Sequence, residues 1–265
     1  MGRIGETFAR LRTTRERALV PFITGGDPDL DTTEALVLAM AESGADLIEI
    51  GVPFSDPTAE GPTIQRSSER ALAGGATLRR ILERVKLLRP RVKVPLLLMG
   101  YANPFYAMGA EGFVEAAAEV GVDGIIVADL PPEEGSSLYA KAEAAGIDGV
   151  LLAAPTTSTE RAAMLTARTR GFLYYVSLTG VTGARTELAA DLEAEVRRVR
   201  GQSDIPICVG FGVSTPEQAR AIAAYADGVA VGSALVDRIA AAATPAAAVE
   251  SAAAFVAELK AALRP

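Results

Sequence analysis

The residues available for chemistry are few. Among 265 residues there is no histidine, and Cys208 is the only cysteine. Ser-His-Asp triads, Cys-His pairs and histidine-ligated metal sites are therefore impossible, and one thiolate cannot build a structural zinc site. Acid–base work falls to Asp, Glu, Tyr, Lys or the lone thiol. Cys208 lies in Ile205-Pro206-Ile207-Cys208-Val209, the setting of a buried strand thiol that packs rather than reacts. Alone it forms no internal disulfide, as expected in a reducing compartment. The four lysines are Lys86 and Lys141 in helical stretches, Lys93 just before a strand, and Lys260 near the end. None is placed for a Schiff base.

Glu49 is the strongest catalytic candidate. Along Leu47-Ile48-Glu49-Ile50-Gly51, strand alternation sets it on the face opposite Ile48 and Ile50. A carboxyl turned into a barrel interior loses hydration, so its pKa rises and it suits a general acid. The competing reading is a buried structural glutamate paired with an Arg or Tyr, because an uncompensated buried acid is costly. Other strand ends carry Gly25-Gly26-Asp27, Asp56, Glu60, Asp129 and the Thr179–Gly183 loop. Near the C-terminus, Val209-Gly210-Phe211-Gly212-Val213-Ser214 lets backbone N–H groups approach an oxyanion. Val231-Gly232-Ser233-Ala234 then opens a helix whose first N–H groups are free. Together they suggest a phosphate site; by themselves the glycines would only make tight turns.

These residues must be positioned by strands and helices that alternate through the chain. Strands are expected at Leu19–Thr24, Asp46–Gly51, Val94–Met99, Gly124–Asp129, Gly149–Ala153, Phe172–Ser177, Pro206–Gly210 and Gly228–Val231. Each is nearly all apolar, as a strand covered on both faces should be. Eight strand–helix units favour a closed (βα)8 TIM barrel over an open doubly wound sheet, with function on the loops at the C-terminal ends of the strands. Extra helices are expected at the N-terminus (Ile4–Leu11) and between strands 2 and 3. The tetrads Ser214-Thr215-Pro216-Glu217 and Thr157-Ser158-Thr159-Glu160 fit capping boxes, and Leu130-Pro131-Pro132-Glu133 places proline near a first turn. Ala-rich 240–265 reads as a final helix covering the barrel.

Nothing divides the chain, so residues 1–265 are expected to form one domain. Hydrophobic residues are 49% of the total, enough for a large core. No apolar run is long enough for a membrane span. Glu6 falls where an export signal would be apolar, so a cytoplasmic location is expected. A net charge of −7 argues against nucleic-acid binding.

From Leu47 to Gln65 the chain reads LIEIGVPFSDPTAEGPTIQ, which resembles the signature of the tryptophan synthase α-chain family. The likeness continues through PFITGGDPD (21–29), LMGYANP (98–104), VADLPPEE (127–134), APTTS (154–158), VSLTGVTGAR (176–185), VGFGVSTPEQA (209–219) and GVAVGSALV (228–236). The resemblance implies a cofactor-free (βα)8 lyase that cleaves indole-3-glycerol phosphate to indole and glyceraldehyde 3-phosphate. It also implies an α2β2 heterotetramer, in which a pyridoxal-phosphate-bearing β chain receives the indole. Glu49 would be the general acid. Phosphate would sit on Gly183, Gly212, Gly232 and Ser233. Phe22, Ile64, Tyr101, Asp129, Tyr174, Thr182 and Phe211 match substrate-side positions, and Leu178–Glu187 resembles a mobile lid.

Glu60 departs from the family pattern, standing where the family carries an aspartate that holds the indole N–H. Thr58 replaces a usual apolar residue beside it. Retained activity is the leading expectation. The alternatives are a catalytically weak regulatory subunit that mainly activates its β partner, and a different phosphate-binding barrel such as a sugar-phosphate isomerase or epimerase.

Overall fold

The computed structural model describes residues 2–177, 185–210 and 212–265, without the side chains of 185–190. Its strands are β1 (Ala18–Thr24), β2 (Ile48–Gly51), β3 (Leu96–Gly100), β4 (Gly124–Val127), β5 (Asp148–Ala153), β6 (Leu173–Val176), β7 (Ile207–Gly210) and β8 (Gly228–Val231). Each pairs in parallel with its neighbour, and β8 returns to β1 to close the barrel. All eight expected strands are present, with ends shifted by at most two residues.

Helix α1 (Arg3–Thr14) precedes β1, and α2 (Leu30–Glu42) follows it. The gap between β2 and β3 holds α3 (Pro62–Ala73) and α4 (Leu78–Leu88). Both extra helices are thus where the sequence suggested. A further short one was not expected: α5 (Ala102–Ala107) stands before α6 (Ala110–Val120). Six residues are too few to register a helical period, and α5 depends on Asp129, whose Oδ1 accepts the Ala102 N–H at 2.7 Å. Helices α7 (Ser136–Ala144), α8 (Thr159–Arg168), α9 (Arg185–Arg200) and α10 (Pro216–Ala223) cover the second half. The Ala-rich end holds the last part of α11 (Ser233–Ala241) and then α12 (Pro245–Ala262), which is capped by Thr244. Among the described residues, no helix is long and apolar enough to cross a membrane.

Local capping differs by one residue from the expected boxes. Ser158, not Thr157, accepts the Arg161 N–H, and Thr215, not Ser214, accepts that of Gln218. Thr157 instead accepts from Ala154, while Gln218 turns back to the Ser214 N–H. The prolines at 131 and 132 lie in a turn before α7, closed by the Glu134 and Gly135 N–H groups on the Pro131 carbonyl.

Strand alternation sorts the core into two layers. Ala18, Val20, Phe22, Leu47, Leu97, Met99, Ile126, Val150, Tyr174, Cys208 and Ala230 fill the barrel, and Ile4, Phe8 and Leu11 of α1 pack with them. Leu19, Ile23, Ile48, Ile50, Leu98 and Val229 face outward under the helices. The lower rim repeats one device. Asp46, Asp123 and Asp227 accept the N–H groups of Leu19, Leu96 and Ile207, each at the start of the neighbouring strand. Each is also ion-paired: Asp46 with Arg10 and Lys260, Asp123 with Arg3 and Arg89, Asp227 with Arg200. Lys260 is therefore a buried structural cation at the lower rim.

Candidate active site

Glu49 and Phe22 are register partners on β2 and β1, and both point into the barrel near its upper end. They line a cavity of about 270 Å³ together with Glu60, Ile64, Met99, Tyr174, Gly212, Val213, Ser214, Gly232, Ser233, Ala234 and Asp237. Two strands must be bare to admit the rings. A Cβ on Gly51 would stand 2.4 Å from the Phe22 ring, and one on Gly210 would stand 2.3 Å from the Tyr174 hydroxyl.

The Glu49 side chain has no solvent exposure, and neither carboxyl oxygen has a hydrogen-bond partner among the described residues. That weighs against a structural, paired glutamate. Burial, with the charge of Glu60 added, pushes its pKa well above the ordinary range. Burial thus favours its protonated form, the form from which a proton can be given up.

Glu60 reaches the same cavity from the loop after β2. Its backbone is held at both ends: its N–H donates to the Pro57 carbonyl, and its carbonyl accepts from Gln65 Nε2 at 2.9 Å. The preceding N–H, of Ala59, donates to the Tyr101 hydroxyl at 2.9 Å. Burial raises the Glu60 pKa to about 7. Behind it a small recess is lined by Phe22, Phe54, Ile64 and Tyr101, with Glu60 at its edge. The Tyr101 and Phe54 rings lie 5.4 Å apart there. Burial also lifts the Tyr101 pKa to about 12 and that of Tyr174 well above its usual value, so both stay protonated.

On the opposite side the cavity is built from backbone. Gly212 has φ +80°, a conformation that glycine tolerates. Gly232 caps α11, and its carbonyl accepts the N–H groups of Leu235 and Val236. The N–H groups of Ser233 and Ala234, first in the helix, have no intrahelical acceptor, and both residues line the cavity. An anion with several oxygens suits that corner.

The structure thus brings together Phe22, Glu49, Glu60, Ile64, Tyr174, Gly212, Gly232 and Ser233, with Tyr101 in the adjoining recess. Asp129 stands apart. It lines a neighbouring cavity with Leu130, Pro131 and Tyr139, and its carboxylate is engaged at the start of α5. Thr182, Gly183 and Phe211, and most of the expected lid at Leu178–Glu187, lie outside the described residues. Met99 and Asp237 were missed from the sequence. Alternation from Leu97 points to Met99, and the four-residue step from Ser233 along a helix points to Asp237.

The comparisons with known proteins agree with this geometry. A family model described as tryptophan synthase alpha chain matches residues 8–264. A tryptophan synthase alpha chain from Geobacter sp. (strain M21) is 56% identical over 236 residues, covering 89% of this chain and 88% of its own. One from Burkholderia pseudomallei (strain 1106a) is 50% identical over 264 residues, covering 99% and 97%. Among solved structures, the tryptophan synthase subunit alpha of Legionella pneumophila str. Paris superposes with a TM-score of 0.91 at 39% identity, covering 99% of this chain and 98% of that one. A chain of Mycobacterium tuberculosis tryptophan synthase gives 0.90 at 39%, covering 100% and 99%.

Proposed function

This chain belongs to the tryptophan synthase alpha chain family, and from that premise we propose how its cavity does the work. The chain is the lyase subunit: it cleaves indole-3-glycerol phosphate to indole and glyceraldehyde 3-phosphate in a retro-aldol step. It works with a tryptophan synthase β chain, which takes up the indole.

In our reading Glu49 protonates the indole carbon that bears the glycerol chain. The ring nitrogen then carries developing positive charge, and Glu60, ionised, accepts a hydrogen bond from its N–H. The glycerol hydroxyl beside the scissile bond gives up its proton to the Glu49 carboxylate as the carbon–carbon bond breaks. The bonding pair returns to the indole ring, and the hydroxyl carbon becomes the aldehyde. Proton count balances: Glu49 loses one proton and regains one. The phosphate rests on the N–H groups around Gly212, Gly232 and Ser233, and on Gly183. The indole lies against Phe22, Ile64, Tyr101, Tyr174 and the positions of Thr182 and Phe211. Asp129, by its place at the start of α5, serves the site indirectly.

The observation that carries this reading is Glu49: wholly buried, unpartnered among the described residues, and facing a cavity that Glu60 enters from the loop after β2. The test is turnover of indole-3-glycerol phosphate by wild type, Glu49→Gln and Glu60→Asp, each with and without a β chain. We expect Glu49→Gln to lose activity by at least about a hundredfold, with Glu60→Asp close to or above wild type. A wild-type chain inert even with its partner would overturn the reading. We also propose that residues 1–265 form a single domain, since β8 closes on β1, and that the protein works in the cytoplasm, in keeping with a biosynthetic family and a free buried thiol. Cell fractionation tests the location.

A further inference from the structure

Three carboxylates line the cavity, Glu49, Glu60 and Asp237, and among the described residues no lysine or arginine does. Two of the three belong to the reaction described above. Asp237 does not, and it stands beside the corner assigned to phosphate. It follows Ser233 by four residues on α11, so both lie on one face of the helix. Helical side chains lean toward the N-terminus, which tilts the Asp237 carboxylate over the first turn, where the free N–H groups of Ser233 and Ala234 are. Its position is held from across the mouth: Thr63 in the first turn of α3 donates through Oγ1 to Asp237 Oδ1 at 3.0 Å.

Nearby cations are turned elsewhere. Arg238 stacks over the Phe255 ring at 4.1 Å, and Arg66 reaches only the Thr63 hydroxyl, at 3.5 Å. Arg70 forms a two-point pair with Asp27, and the Asp237 charge acts on it only from a distance. A phosphate in this corner would be held by neutral donors while facing the Asp237 carboxylate, which no cation contacts directly among the described residues and which Arg70 offsets only from a distance.

We propose that Asp237 is an affinity-limiting residue of the phosphate corner: its carboxylate, fixed by Thr63, repels a phosphate dianion and speeds release of the phosphorylated product. The proposal rests on the phosphate placement given above. A carboxylate one helical turn from a dianion at an exposed rim weakens binding by about threefold at physiological salt, and by more at low salt.

The experiment is calorimetric titration of the full chain with inorganic phosphate and with glycerol 3-phosphate, at low and high salt. The proteins are wild type, Asp237→Asn, Asp237→Lys and Gly232→Val. The asparagine keeps an oxygen for Thr63 and removes only the charge. The valine fills the corner and tests whether phosphate sits there. We expect Asp237→Asn to tighten both anions about threefold, Asp237→Lys to tighten them further, and both gains to shrink with salt. Gly232→Val should weaken both. If Gly232→Val weakens binding but Asp237→Asn leaves it unchanged or weaker, the Asp237 proposal is overturned and the phosphate placement stands. If Gly232→Val leaves binding unchanged, the placement fails and the proposal falls with it.

Discussion

A carboxyl group with no exposure and no hydrogen-bond partner is most costly when ionised, and Glu49 meets both conditions among the described residues. Its raised pKa has a stability consequence with a definite sign. Between the ordinary carboxyl pKa of 4.5 and its own higher value, the folded chain keeps a proton that the unfolded chain has released. Stability therefore falls as pH rises through that window, and the full penalty applies above the folded pKa. Glu49→Gln removes the penalty. Its melting temperature relative to wild type should be higher at pH 8 than at pH 4, and a difference independent of pH would show that burial does not hold the proton. Glu60 adds a second signature. It must be ionised to hold the indole N–H, so kcat/KM should rise with pH around its pKa of about 7 and fall again where Glu49 loses its proton. In Glu60→Gln the lower limb should vanish; its persistence would assign that limb to another group.

At the scale of elements, the loop after β2 is where precision is needed, because most of its residues between 55 and 62 are exposed. Its rigidity comes from side chains on other elements: Tyr101 at the end of β3 holds residue 59, and Gln65 in α3 holds residue 60. Gln65→Leu should lower kcat by about tenfold with little change in KM, since it frees the Glu60 backbone without touching substrate. Combined with Glu60→Gln the two losses should not add; additive losses would mean that Gln65 acts elsewhere. The motif Glu60-Gly61-Pro62-Thr63-Ile64-Gln65 was legible in the sequence, but its tethers were not. A glutamine near a helix start reads as an ordinary surface residue until the fold turns it back on the loop.

For the whole molecule, the barrel separates the work of its two ends. Among the described residues, the upper rim carries the unpartnered Glu49 carboxyl and backbone binding groups, whereas the lower rim holds three ion-paired aspartates. Lys260 ties α12 to the lower rim through Asp46, pairs with Glu16 as well, and both Lys260 and Asp46 are buried. Lys260→Met should cost about 3 kcal/mol of folding stability, measured by denaturant unfolding, because it leaves buried acid short of a partner. Turnover at a temperature where the variant is folded should be unchanged; a matching loss of kcat would mean that the rims are coupled.

The sequence by itself determined the barrel, the strand positions within two residues, and the inward turn of Glu49. These follow from periods of two and 3.6 residues, which are properties of the local chain. It also located the glycine runs and, through the family motif, Glu60. Only the tertiary structure decided what each polar group meets. It sent Asp129 to the Ala102 N–H, buried Lys260 against Asp46, moved two helix caps by one residue, and brought Asp237 to the cavity 174 residues away from its partner Thr63. A hydrogen bond or a lost hydration shell depends on neighbours drawn from distant segments, and the closing of the barrel is what selects those neighbours.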